Sequence, residues 1–159
     1  MTDTRELESY IHAVSSPVVG ERTTALRSFL SAWPQSSLRK DALEWLAWDT
    51  HVYDRAVSAG YAREVLRIDP SNAMAVAFVM ESAPPKHRDA AFDLAQKGIA
   101  ALPALRPPAA MGAVEFYRVQ QNVTAILCAA VGNLALERKD YPTAREYLSF
   151  QHDDPWAGY

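Results

Sequence analysis

Four histidines and one cysteine are the side chains best suited to metal or nucleophilic chemistry in this 159-residue sequence. A zinc site needs several nitrogen or sulfur ligands at close, recurrent spacing. His12, His51, His87 and His152 include no pair four residues apart and no His-Glu-x-x-His arrangement, so no helical turn presents two of them together. His152-Asp153-Asp154 has ligand-type residues but falls in a C-terminal stretch without periodicity. Reactive thiols want a cationic, partly exposed setting. Cys128 stands among Ile126, Leu127, Ala129 and Ala130 and reads instead as a small buried hydrophobe. No phosphate-binding loop, nucleophile elbow or dinucleotide glycine pattern occurs. Asn122-Val-Thr124 is formally a glycosylation sequon, but it lies in the middle of a helical stretch. No catalytic residue, metal or cofactor is expected.

Binding chemistry is better represented. Trp45, Trp48 and His51 recur every three residues, with Tyr53 close by. Three helical positions turn through about 300°, which leaves the two indoles within about 60° of each other. Two uses fit: packing inside the core, or the aromatic wall of a peptide groove. The segment Leu105-Arg-Pro-Pro108 has two uses as well, as a plain connector or as a rim that narrows a groove; the connector is preferred.

These residues must be positioned by helices. Alanine supplies 27 residues, and no stretch alternates with a period of two. Apolar residues recur at three and four, as in Leu7-Tyr10-Ile11-Val14 and Leu26-Phe29-Leu30-Trp33. Breaks fall at Ser16-Pro17, Pro34, Asp69-Pro70-Ser71-Asn72, Pro84-Pro85, Pro103 to Gly112, and Asp140-Tyr141-Pro142. Pro34 and Pro70 are 36 residues apart, and Pro70 and Pro103 are 33 apart. Each interval holds two short helices. Periods in the thirties built from helix pairs are typical of α-solenoids.

Tyr61-Ala-Arg-Glu-Val-Leu-Arg-Ile-Asp-Pro-Ser-Asn72 resembles the second helix and closing turn of a tetratricopeptide repeat (TPR), through Leu66, Ile68, Asp69, Pro70 and Asn72. The stretch from Ala125 to Leu148 resembles the other part of that motif, with Gly132 and Ala144 as small contact residues and Asp140-Tyr141 at the turn. The middle repeat matches through Ala91 and Ala95 but has Val79 where the glycine belongs. The expected fold is all-α: a TPR-like α-α superhelix of about four antiparallel helix pairs, at 4–33, 37–69, 72–102 and 113–150. Residues 1–150 would form one domain and 151–159 a C-terminal tail. The stretch before Ala125 either lengthens its helix or forms an extra one.

The resemblance implies a non-enzymatic scaffold that binds a peptide or helix of a partner protein in a concave groove. Relatives that clamp a chaperone's C-terminal carboxylate use paired Lys, Asn and Arg. This sequence keeps Asn133 at one such place but has Ala129 where lysine belongs, and Val76, Ala77 and Met80 are apolar. A groove for an apolar or mixed segment is therefore expected, with Trp45, Trp48, Val76, Met80 and Asn133 as candidate binding residues. Arg39, Arg118 and Arg138 are candidate rim contacts. The alternatives are self-association through an end of the array, which makes a homo-oligomer, and a small helical regulatory domain or enzyme with a pocket near the 103–112 loop.

The charge balance, 16 basic against 19 acidic residues, favours no polyanionic partner such as nucleic acid. The polar start and the absence of about 18 uninterrupted apolar residues favour neither a secretory signal nor a membrane span. A cytoplasmic location is expected. Arginine outnumbers lysine twelve to four, a composition that suggests a GC-rich bacterial genome.

Overall fold

Side-chain caps mark three helix starts in the computed structural model, which describes residues 4–82 and 84–149. Eight α-helices are present there: α1 (Thr4–Val14), α2 (Val19–Ala32), α3 (Arg39–His51), α4 (Arg55–Ile68), α5 (Ala73–Ser82), α6 (Arg88–Ala101), α7 (Ala113–Glu137) and α8 (Tyr141–Ser149). A short 3-10 turn, Leu102–Ala104, follows α6. No strand occurs among the described residues. The expected pairs are all present, and the residues before Ala125 lengthen α7 instead of forming a separate helix.

Asp54 caps α4 by accepting the Val57 amide, and Asn72 caps α5 by accepting that of Ala75. Asp140 does the same for Thr143, in the first turn of α8. Each cap satisfies an amide that has no partner inside its own helix. The proposed tail 151–159, with His152, lies outside the described residues.

Every helix packs against the next in sequence, and α5 also packs against both α3 and α7. The core runs continuously from Tyr10 and Phe29 through Leu43, Leu46, Met74 and Phe78 to Leu127 and Val131. Glycines allow two of the crossings. A Cβ on Gly132 would lie 2.6 Å from Leu148 Cγ, so α7 and α8 approach where a side chain has no room. Gly98, which the repeat pattern did not single out, does the same for α6: its Cβ would lie 2.7 Å from Leu127 Cδ2 and 2.8 Å from Val76 Cγ1.

The apolar stripes are less complete than their spacing implied. Leu7 and Ile11 on α1 are 46% and 44% exposed, while Tyr10 and Val14 of the same stripe are buried. α7 is the one described helix long and apolar enough to cross a membrane by length and composition. Its buried residues pack on α5, α6 and α8.

Candidate functional site

The two tryptophans of α3 diverge. Trp45 is 2% exposed. Its indole Nε1 donates to the Ala109 carbonyl at 3.1 Å, and the Arg22 guanidinium lies 4.6 Å from its ring centroid. Trp45 is therefore not the wall of an open groove: the chain's own 105–111 segment covers it. Trp48 is half-buried, stacks with His51 and Phe78, and donates to Glu115 Oε1 at 3.2 Å. The segment after α6 thus does more than connect. Ala109 accepts from the Tyr10 hydroxyl (2.8 Å) as well as from Trp45, and its amide donates to Asp41 Oδ1 at 2.8 Å. Leu105, Pro108 and Met111 are buried beside it.

Buried charge lies behind this contact. Arg22 makes a bidentate pair with Asp49, at 2.8 and 2.5 Å, and donates to the Ser16 carbonyl. Burial raises the Asp49 pKa, opposed by the Arg22 hydrogen bonds and charge. His51 lies 3.4 Å from Glu81 Oε2 without a hydrogen bond, and burial lowers its pKa, which favours the neutral ring. Periodicity could not reveal Arg22, Asp41, Asp49 or Glu115, because the partner of each lies in another helix or in the 105–111 segment.

A second feature lies under the start of the same segment. A cavity of about 110 Å³ is lined by Lys40, Glu44, Asp69, Asn72, Leu105 and Arg106, among others. Glu44 is 2% exposed; its Oε1 accepts from Asn72 at 2.5 Å and its Oε2 has no partner. Desolvation, reinforced by Asp41 and opposed by Lys40, pushes its pKa up to about 7. A pocket therefore does exist near the 103–112 loop. Cys128, 3% exposed, has its thiol pKa raised by burial, and among the described residues no group of three or more His, Cys, Asp or Glu could hold a metal.

The third feature is open. Met80 and Glu81 of α5 and Ala125, Ile126, Ala129, Ala130 and Asn133 of α7 line a groove of about 350 Å³. It continues past Met80, Ala130 and Asn133 toward Pro84, Pro85, Arg88, Leu134 and Glu137, adding about 190 Å³. Of the five candidate residues, Met80 and Asn133 meet here. Val76 does not, being 1% exposed and turned against Gly98. Arg39 pairs with Glu64 and Arg138 approaches Asp89, while Arg118 is exposed. In comparisons with known proteins, the chain matches no family model, no curated protein and no solved structure.

Proposed function

We propose that this chain is a non-enzymatic, TPR-like helical scaffold whose groove between α5 and α7 binds an apolar segment of a partner protein. The observation that carries this reading is the groove itself: mostly small and aliphatic side chains flanked by few polar groups, the composition expected of a site for an apolar anchor. The contacts of α5 with both α3 and α7 agree with a superhelix in which alternate helices share one face. Glu81 is the charged member of this lining, and its carboxylate already lies 3.4 Å from both Arg55 and His51, which leaves the apolar side chains to select the ligand.

Selection of peptides from a display library on the full chain tests the reading. Apolar sequences should be enriched, and Ala129→Glu should abolish their binding while Glu8→Ala, on the exposed side of α1, leaves it unchanged. Enrichment of no sequence, or binding that survives Ala129→Glu, would overturn it.

A second reading has its own support. Leu7 and Ile11, one turn apart and exposed on the first helix, suit end-to-end pairing of two chains. Light scattering on the parent and on Leu7→Glu/Ile11→Glu decides it: a dimer that the double variant dissociates supports pairing, and a monomeric parent excludes it.

A further inference from the structure

The 105–111 segment makes contacts that a connector does not need. Both polar backbone groups of one residue, Ala109, are held by side chains far away in sequence: the carbonyl by Tyr10 and Trp45, the amide by Asp41. Side chains that bond both the carbonyl and the amide of one residue hold a backbone without regard to its side chain, as a peptide-binding face can. The three side chains come from α1 and α3, and two of them, Tyr10 and Trp45, are buried. Without an occupant they would lose these partners and the apolar face of the indole would lie open to water, which is unfavourable. This face is complete only when a peptide lies on it.

The present occupant is not an ideal fit. Met111 donates to the Pro108 carbonyl at 3.1 Å, closing a turn over Pro108–Met111. Ala110 holds the third place of that turn with φ 67°, the left-handed region where glycine is the usual residue. Pro107 and Arg106 on the near side are exposed. The segment is thus hydrogen-bonded to α1 and α3 through one residue, packed by Leu105, Pro108 and Met111, and strained at Ala110.

We propose that the 105–111 segment is a built-in ligand occupying a peptide-recognition face on α1 and α3, and that a partner's Pro-Pro-Ala segment displaces it by making the same turn. The inference rests on the reading of the chain as a peptide-binding scaffold but uses a different pair of helices. Arg22, buried behind Trp45 and paired with Asp49, fixes the indole that reads the incoming carbonyl. The strain at Ala110 lowers the cost of releasing the segment.

The test uses the segment's own sequence, acetyl-Leu-Arg-Pro-Pro-Ala-Ala-Met-amide, titrated into the full chain while heat release is followed by calorimetry. Ala110→Val, which deepens the strain, should bind the peptide at least tenfold more tightly than the parent, and Ala110→Gly more weakly. A chain with residues 106–110 replaced by Gly-Gly-Ser-Gly-Gly should bind it most tightly. Tyr10→Phe in that background should then lose about tenfold. A folded replacement chain that ignores the peptide, or binding indifferent to Tyr10→Phe, overturns the proposal. If the replacement chain does not fold, equal peptide affinity in the Ala110→Val and Ala110→Gly chains overturns it. Ala129→Glu should leave this titration unchanged, so failure here and failure of the α5–α7 groove are separate results.

Discussion

The surroundings of α3 and those of α7 solve opposite problems. From Ala42 to His51, every residue of α3 except the half-buried Trp48 is buried, and Glu44, Asp49, Thr50 and His51 are polar. A helix enclosed on all sides with polar groups aboard must find partners for them, and the partners come from α2, from the α4–α5 turn and from the 105–111 segment. α7 is enclosed on one side only. Val119, Val123, Leu127, Val131 and Ala135 are buried, while Ala125, Asn133 and their neighbours on the other face border an open groove. The contrast is one of enclosure: the chain itself closes over α3 and bonds most of its polar side chains, although Glu44 Oε2 lacks a partner, whereas one face of α7 borders open space.

The largest test of this contrast is truncation in the closed region. Asp49→Ala strands the Arg22 guanidinium, 8% exposed, without its carboxylate. Losing one member of a buried pair costs about 3–5 kcal/mol. Trp45→Ala should cost about the same through the cavity it leaves. Arg22 touches both side chains, so the double variant should lose less than the two losses added together. Urea denaturation measures all three. A loss below about 1 kcal/mol in either single variant would mean that the region is not closed as described.

Next in size is the α7–α8 crossing. Gly132→Leu has no room beside Leu148 and should cost on the order of 1–3 kcal/mol, read as a lower melting temperature. A melting point within a degree of the parent's would remove Gly132 from the crossing.

A similar magnitude with a defined pH signature belongs to Glu44. Its pKa is about 7 in the fold against an ordinary 4.5. Between those values the native chain holds a proton that the unfolded chain has lost, so stability falls as pH rises from about 4.5 to 7 and levels off above. Glu44→Gln should flatten this fall and gain on the order of 1–3 kcal/mol at pH 8 relative to the parent. Denaturation of both chains at pH 5 and pH 8 gives the comparison. Parallel curves would show that Glu44 is ionised throughout.

The architecture was more legible than the site. Proline positions and caps such as Asp69-Pro70-Ser71-Asn72 mark boundaries locally, and a local signal survives in one sequence. Gly132 was legible for the same reason, since a repeat motif names its place. Gly98 was not, because its neighbours Val76 and Leu127 come from two other helices. Trp45 and Trp48 show the limit most clearly. Three-residue spacing puts them near one face, but only the 105–111 segment, more than 60 residues away, decides that Trp45 is covered. Met80 and Asn133, both named from the resemblance, line one groove, while Val76, named in the same way, is buried.

The smallest expected effect sharpens the contrast within α7 alone. Cys128 and Ala129 are adjacent, yet Cys128 is 3% exposed on the packed side and Ala129 lines the groove. Native Cys128 should react with a thiol reagent only slowly, because burial both shields it and raises its pKa, which depletes the thiolate. Moving the thiol by one position, in Cys128→Ala/Ala129→Cys, should change stability little, since one small side chain is exchanged for another at each site. The labelling rate should rise by at least tenfold all the same, because a helix step of about 100° carries the sulfur from the core to the groove. An apolar peptide seated between α5 and α7 should slow the new thiol again without affecting a thiol at position 128. Equal rates in the two chains would mean that the groove face of α7 is as closed as its core face, and the distinction between the two regions would fail at its most local point.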